Sequence, residues 1–184
     1  MTPAGRAARG KAVAFVAPSG TGKTTLLEKL IAELKRRGRR VGAIKHDAHR
    51  FEIDHPGKDS HRLAAAGADT TLVTSREKLA LVRRHAAAPP VEEIVAAYFG
   101  DVDIVLVEGF RGSSLPRIEV RRAGRGGSLP RDAAGRDPLL VAVASDAALD
   151  LDVPVFRLDD AAGLADFLEE TFIRRLPRKV QERP

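Results

Sequence analysis

The sequence predicts an α/β fold in which a mostly parallel sheet carries helices on both faces. Short, continuous apolar runs such as residues 12–17, AVAFVA, and 102–110, VDIVLVEGF, are typical of strands buried on both sides. Stretches with the helical spacing of apolar residues alternate with these runs, and this alternation favours βαβ units. A glycine-rich loop joins the first run to the first helical stretch, as in folds that bind phosphate at the end of a strand.

Length and composition limit the domain organisation. The chain has 184 residues, and we expect one domain over residues 12–175, a flexible basic tail over 1–11 and a polar tail over 176–184. The chain has no Cys, which excludes disulfides and thiolate metal sites.

Charge and hydropathy limit the partners. The net charge is +6, but aromatic residues make up only 4%, so phosphorylated small molecules or an acidic protein explain the charge as well as nucleic acid does. No apolar run approaches the roughly 20 residues of a membrane-spanning helix, and no signal peptide is recognisable. We therefore expect a cytoplasmic protein with neither a nucleic-acid nor a membrane partner.

The loop after the first predicted strand has the pattern of a phosphate-binding loop. Residues 17–24, APSGTGKT, fit G-x-x-x-x-G-K-[ST] with Ala in place of the first Gly. Gly20 and Gly22 allow the backbone to turn its N–H groups towards phosphate oxygens, and Lys23 can reach the terminal phosphates as a point charge. Thr24 is a candidate Mg²⁺ ligand. The order of strand, loop and helix predicts the P-loop NTPase fold.

The remaining elements follow along the chain. Leu26, Leu30 and Leu34 recur at helical spacing and predict the helix behind the loop. Further strands are predicted at residues 41–45, 69–75, 78–84, 138–146 and 153–158, and further helices at 60–68, 91–99 and 161–176.

A carboxylate at the end of the predicted strand 102–110 is the candidate Walker B acid. Glu108 stands at the carboxyl end of this strand, where such an acid holds Mg²⁺ through water. Asp103 begins the strand and is expected to lie far from the phosphates. We therefore give the metal-holding role to Glu108.

A His-rich segment over residues 46–60 departs from the alternation of strands and helices. It carries His46, His49 and Asp54 at the rim where open α/β sheets bind ligands. We expect a loop that closes on nucleotide, Mg²⁺ or a second phosphorylated ligand, with a transition-metal site as an alternative. A further alternative is that the segment only turns the chain and that Asp59 caps the next helix.

A Gly/Arg-rich segment over residues 111–137 also departs from this alternation. Its Arg residues would suit a lid over a transferred phosphate. We favour the simpler interpretation, a solvated and partly disordered excursion. Both segments are expected to be loops or excursions of a single core.

The motifs together resemble those of the molybdopterin-guanine dinucleotide biosynthesis protein B family, MobB. The matching stretches are SGTGKTTLL (19–27), IKHDAHRFEIDHPGKDSHRLAAAGA (44–68), DIVLVEGFR (103–111) and VAVASD (141–146). The resemblance implies a P-loop GTP-binding protein, usually dimeric, that hydrolyses GTP slowly with Mg²⁺. It also implies that the protein assists a MobA-like guanylyltransferase that joins a guanine nucleotide to the molybdenum cofactor, so a molybdopterin-type ligand is a further candidate.

The same resemblance implies roles for individual residues. Glu108 corresponds to the Walker B acid and Asp54 to a mobile-loop acid near the metal, and with Lys23 they are the candidate catalytic residues. The candidate metal ligands are Thr24, Glu108 and Asp54. The candidate nucleotide-binding residues are Ser19, Gly20, Thr21, Gly22, Lys23, Thr24, Thr25, His46, His49 and Asp146.

The absence of Asn and the single Gln bear on which nucleotide is bound and on how fast it is hydrolysed. The chain has no Asn, so the common N-K-x-D guanine-reading motif is missing, and the preference for GTP rests on the resemblance. Asp146 can accept hydrogen bonds from guanine at the end of its strand, or it caps the turn there. The only Gln is Gln181, in the tail, so slow hydrolysis is expected unless a His or Asp of the His-rich segment orients the attacking water.

Two other functions stay open. A P-loop small-molecule kinase would prefer ATP and transfer phosphate to an acceptor. A nucleotide-loaded adaptor without significant turnover would raise a partner's activity even with a non-hydrolysable analogue.

Overall fold

A computed structural model describes residues 10–47, 51, 53–125 and 137–174. Contacts between residues divide the chain into two compact units, Met1–His46 with Pro90–Pro184, and Asp47–Pro89. The first unit holds a parallel sheet, and the second holds a small antiparallel sheet of its own. The single domain over residues 12–175 and the two tails stay predictions.

All but one of the helices and strands of the described residues lie close to predicted ones. The strands are β1 Ala12–Val16, β2 Val41–Lys45, β3 Thr70–Thr74, β4 Leu79–Arg83, β5 Ile104–Glu108, β6 Arg117–Arg121, β7 Leu140–Ser145 and β8 Val155–Arg157. The helices are α1 Lys23–Arg36, α2 Asp59–Ala65, α3 Val91–Tyr98 and α4 Ala161–Leu168, which continues as a π-helical turn, Glu169–Ile173. Within the described part of the chain, no helix is long and apolar enough to cross a lipid bilayer.

The sheet of the first unit has six strands in the order β2-β5-β1-β6-β7-β8. Each neighbouring pair in it is parallel. Because β5 lies between β2 and β1, Glu108 is in register with both Lys45 and Phe15. The predicted α/β fold with a mostly parallel sheet is confirmed.

Helices cover both faces of this sheet, as predicted. Phe15 of β1 packs on one face with Leu30 of α1 and with the leucines of α4. Val16 lies on the other face, in one cluster with Val95 of α3. Burying one leucine side chain stabilises the fold by about 1.5–3 kcal/mol, so this packing holds α1 firmly against β1. The loop between β1 and α1 is thereby fixed at both of its ends.

An ion-pair network fastens the far end of α1 to the C-terminal helix. Glu33 accepts hydrogen bonds from Arg36 at 2.7 Å and from Arg37 at 2.7 Å, and these bonds lower the pKa of the Glu33 carboxyl to about 2. Arg37 also pairs with Asp166 of α4 and with the buried Glu169. The network therefore couples α1 to α4 as well as to the sheet.

Strand β6 corrects the prediction that residues 111–137 form a loop or excursion. It lies between β1 and β7 in the middle of the sheet. Its sequence, RIEVR, alternates charged and apolar residues, so it lacks the continuous apolar run used to recognise buried strands. Ile118 and Val120 enter the core, while Glu119 is buried and pairs with Arg121 at 2.8 Å. Residues 126–136 of the proposed lid lie outside the described residues.

The second unit consists of α2 and the antiparallel pair of β3 and β4. Both strands were predicted, and they pair with each other in a sheet separate from the six-stranded one. A tight turn connects them, with Ser75 N donating to Lys78 O at 2.9 Å, and so short a connection permits only antiparallel pairing.

The structure also contradicts the interpretation that Asp59 caps α2. The helix begins at Asp59 itself, and Lys58 occupies the capping position without a side-chain hydrogen bond. Asp59 lies in the first turn, 3.2 Å from Arg62, where a negative charge favours the helix dipole without capping it.

Candidate functional site

The loop between β1 and α1 has the backbone that its glycines predict. Gly20 has φ 74° and Gly22 has φ 90°, a region in which side chains other than glycine are strained. Thr21 is fully buried and donates to the Pro18 carbonyl at 3.1 Å, which pins the loop on itself. The loop N–H groups and the positive end of the α1 dipole are therefore in place to meet an anion.

The alanine at the first position of the motif is tolerated because its backbone is ordinary. Ala17 is buried, and its φ is not positive, so a methyl group costs nothing there. Its carbonyl accepts hydrogen bonds from Lys23 Nζ at 3.2 Å and from the Arg111 guanidinium.

Lys23 lies across the loop. Its ammonium group donates to the Pro18 carbonyl at 2.9 Å. Burial lowers the pKa of Lys23 below 10.5, and the nearby Arg111 and Lys45 lower it further, while Glu108 opposes them. Three cationic side chains thus face one carboxylate, and this excess of positive charge suits a polyphosphate.

Thr24 and Glu108, two of the predicted Mg²⁺ ligands, are brought together. The Thr24 hydroxyl donates to the two Glu108 carboxylate oxygens at 3.2 and 3.1 Å. Asp103 lies at the opposite end of β5, where its carboxylate accepts from the Arg40 backbone N–H at 2.7 Å. A hydroxyl beside a carboxylate at the head of the loop is an oxygen donor set of the kind that Mg²⁺ takes.

His46, which follows β2, lies against the segment after Glu108. Its backbone N–H donates to the Glu108 carbonyl at 2.9 Å, and its ring packs against Phe110 at a tilt of 36°, with centroids 4.2 Å apart. Phe110 has φ 53°, an uncommon value for a residue other than glycine. Gly109 beside it has φ 96°, which favours glycine, and a Cβ there would also stand in tight contact with His46 Cβ, at 3.2 Å. The end of β5 is therefore held in a strained but well-packed turn.

Two more residues of the His-rich segment, His49 and Asp54, were predicted as site residues. His49 lies outside the described residues. Asp54 belongs to the second unit, where its carboxylate accepts a hydrogen bond from the His55 backbone N–H at 2.9 Å. Among the described residues, no group of three or more His, Asp or Glu side chains is arranged to hold a metal ion. The roles of His49 and Asp54 stay predictions.

A cavity of about 190 Å³ adjoins the loop at Gly22. Thr25 and Lys29 of α1 line one side of it, and Asp146 at the end of β7 lines another. The remaining lining residues are Leu26, Arg122, Arg157, Leu158 and Asp159. The carboxylate of Asp146 already has partners within the protein. One of its oxygens accepts a hydrogen bond from the Ala123 backbone N–H at 2.8 Å, and the other lies 4.0 Å from Arg122.

Sequence reasoning missed most of this cavity. Arg157 and Asp159 form a double hydrogen bond, at 3.0 and 3.1 Å, which raises the pKa of Arg157 and lowers that of Asp159. These residues stand at the carboxyl end of β8, and the rule that ligands bind at the carboxyl ends of parallel strands points to them. The sequence signal was present, but the order of the strands was needed to use it.

Comparisons with known proteins agree with one another. A family model described as "Molybdopterin guanine dinucleotide synthesis protein B" matches residues 12–146. A protein of Escherichia coli named "Molybdopterin-guanine dinucleotide biosynthesis adapter protein" is 43% identical over 164 residues, which are 86% of this chain and 91% of the relative. A protein of the same name from Haemophilus influenzae is 37% identical and covers 82% of this chain and 83% of its own length.

Solved structures show the same likeness. The crystal structure of Bacillus subtilis MobB aligns with a TM-score of 0.67 at 25% identity, covering 88% of this chain and 98% of the other. A MobB homologue from Bacillus stearothermophilus aligns with a TM-score of 0.61 at 27% identity, covering 89% and 99%.

Proposed function

Since the chain belongs to the family of molybdopterin guanine dinucleotide synthesis protein B, MobB, we propose that it is a GTP-binding adapter that hydrolyses GTP slowly with Mg²⁺. In this role it assists the conversion of the molybdenum cofactor to its guanine dinucleotide form. The observation that carries the proposal is the meeting of Lys23, Thr24 and Glu108 around a loop whose glycines have the required backbone.

The phosphate loop supplies most of the affinity in this proposal. The backbone N–H groups from Gly20 to Thr25 surround the β and γ phosphates, with Ser19 and Thr21 completing the loop. Lys23 leaves the carbonyls of Ala17 and Pro18 and binds the terminal phosphates. Thr24 and Glu108 hold Mg²⁺, which supplies positive charge to the polyphosphate.

Asp146 supports the preference for guanine. It lines the cavity beside the loop, and its carboxylate is an acceptor. The Watson–Crick edge of guanine carries two N–H donors that a carboxylate can accept together, whereas adenine lacks that pair. A carboxylate at this place therefore compensates for the missing N-K-x-D motif.

Slow turnover follows from the residues at hand. The one Gln of the chain, Gln181, lies outside the described residues. The His46 ring packs against Phe110, with centroids 4.2 Å apart, and this contact favours a structural role for His46 over the orientation of water. His49 and Asp54 remain as candidates for that task. Hydrolysis without a positioned group is slow.

The partner we propose is a MobA-like guanylyltransferase, with a molybdopterin-type compound as a possible shared ligand. The word adapter in the names of the relatives supports a protein that acts through a partner. We also propose a homodimer. Leu63, Leu72, Val73 and Leu79 of the second unit are each at least half exposed, and this amount of apolar exposure in a small unit favours an interface between proteins.

The test is a titration of the purified protein with GTP and with ATP in Mg²⁺, followed by phosphate release in the same samples. We expect tighter binding of GTP and slow release of phosphate. GTP binding with no release, together with stimulation of the guanylyltransferase by a non-hydrolysable analogue, would identify an adapter without turnover. ATP preference with transfer of label to a small acceptor would instead identify a kinase and overturn the proposal.

A further inference from the structure

Two arginines from a distant part of the chain lie against the glycines of the phosphate loop. A Cβ built on Gly20 would stand 2.9 Å from Nη1 of Arg125. A Cβ built on Gly22 would stand 3.3 Å from Nη2 of Arg122. These short distances show that the two guanidinium groups lie directly against the loop backbone, while the positive φ of Gly20 and Gly22 is what favours glycine there. We call Arg122 and Arg125 the arginine pair.

The fold explains why these side chains reach the loop. β6 pairs in parallel with β1, with Val16 opposite Glu119, so the chain leaving β6 emerges at the same edge of the sheet as the loop leaving β1. A tight turn then follows, in which Arg125 N donates to the Arg122 carbonyl at 3.0 Å. Asp146 fixes this turn to β7 by accepting from Ala123 N at 2.8 Å. Three neighbouring strands therefore place the arginine pair over the loop.

The charge around the arginine pair is unbalanced. Among the described residues, the one carboxylate within 4.0 Å of either guanidinium is that of Asp146, at 4.0 Å from Nε of Arg122. Lys23 and Arg111 add positive charge at the same loop. Charges of one sign gathered at a site that already presents N–H groups are favourable when an anion lies among them.

The two arginines occupy different places along the site. Arg122 lines the cavity together with Gly22 and Asp146, whereas Arg125 lies over Gly20, which is not part of the cavity lining. If the base occupies the cavity, Gly22 lies near the phosphate next to the nucleoside. Gly20 then lies near the terminal phosphate.

We propose that the arginine pair binds the phosphates of a nucleotide held in the phosphate loop of the same chain. Arg125 binds the terminal phosphate, and Arg122 binds the phosphate nearest the nucleoside. This inference rests on the proposed function, because it assumes a nucleoside triphosphate in the loop. It adds a second binding element, from the segment after β6, to the phosphate loop itself. A guanidinium group suits this task because its planar fork matches two phosphate oxygens at once.

The test is a titration of the variants Arg125→Ala and Arg122→Ala with GTP, GDP and GMP in Mg²⁺. We expect Arg125→Ala to weaken GTP binding by about ten- to a hundredfold, the loss of a hydrogen bond to a charged group, and to leave GMP unchanged. Arg122→Ala is expected to weaken all three nucleotides. Arg125→Lys should recover part of the GTP affinity, because it restores the charge without the fork.

The control is Arg174→Ala, an exposed arginine at the end of the C-terminal helix that pairs only loosely with Glu170, at 3.7 Å. It should bind all three nucleotides as the wild type does. The side chain of Arg122 is 48% exposed and Arg125 is exposed as well, so the alanine variants should fold, which thermal unfolding checks.

Failure of the inference can be told apart from failure of the proposed function. Wild-type binding of GTP with unchanged affinities in both alanine variants would overturn the role of the arginine pair and leave the phosphate loop in place. Absence of GTP binding by the wild type would overturn both. A GMP affinity that falls as much as the GTP affinity in Arg125→Ala would contradict its assignment to the terminal phosphate.

Discussion

The two halves of the candidate site are built in different ways. The phosphate half comes from one continuous segment, residues 17–25, together with Glu108. The cavity half takes Arg122, Asp146 and residues 157–159 from the ends of three separate strands and sets them beside α1. Site residues that are neighbours in the sequence can be recognised as a motif. Site residues that come from separate strands can be grouped only when the order of the strands is known.

The largest effect is expected from a change confined to the phosphate half. Lys23→Ala removes the point charge on the terminal phosphates and should weaken GTP binding by about a hundredfold. It should leave the ratio of GTP to ATP affinity unchanged, because the cavity is intact. Equilibrium titration measures both quantities. Lys35→Ala, at the exposed far end of α1, is the control, and an unaltered GTP affinity in Lys23→Ala would show that the loop is not the site.

A second change tests the metal-holding part of the same half. Glu108→Gln keeps an acceptor for the Thr24 hydroxyl, which lies 3.1 Å away, but removes the negative charge. We expect the Mg²⁺ concentration needed for half-maximal GTP hydrolysis to rise by about tenfold. Glu93→Gln, on the first turn of α3, should leave that concentration as in the wild type. The same Mg²⁺ dependence in Glu108→Gln and wild type would remove Glu108 from the metal site.

A change in the cavity half should alter selectivity more than affinity. Asp146→Asn replaces one acceptor oxygen by an amide donor, which opposes the N–H groups of guanine. The preference for GTP over ATP should fall by about tenfold, measured as the ratio of the two dissociation constants. Asp150→Asn serves as the control outside the cavity. If the ratio were unchanged in Asp146→Asn, another residue would have to read the base.

The smallest effect is expected on the stability of the fold, from the ion-pair network that holds α1, and not on either half of the site. The pKa of the Glu33 carboxyl is lowered from 4.5 to about 2, so its ionised form stabilises the folded protein above pH 4.5, and this contribution disappears as the pH falls through about 2. Glu33→Gln should lower the Tm by a few degrees at most near neutral pH. The difference from wild type should shrink on acidification. A constant difference down to pH 2 would contradict the ion-pair account.

The contrast between the halves also describes what the sequence alone can predict. The motif at residues 17–24 and the acid Glu108 follow from local patterns, and the structure brings them together. β6 was missed because Arg117, Glu119 and Arg121 interrupt its apolar pattern, although Glu119 is buried and paired. Because the segment that contains β6 was predicted to be a loop, the position of Arg122 beside the phosphate loop could not be predicted.

The second unit shows that strands can be predicted from the sequence without their pairing partners being predicted. β3 and β4 have strand-like sequences, and local pattern predicts them correctly as strands. Their antiparallel pairing follows from the four-residue connection between them, not from propensity. Propensity identifies an element, but partner choice depends on packing and connection length.

The most direct test of the central claim, that both halves serve one guanine nucleotide, is a crystal structure of the protein with Mg²⁺ and a non-hydrolysable GTP analogue. The account predicts terminal phosphates on the N–H groups of residues 20–24 and on Lys23, with the guanine edge against Asp146. A nucleotide bound through the loop with its base outside the cavity would contradict the claim, as would a base in the cavity with no phosphate on the loop.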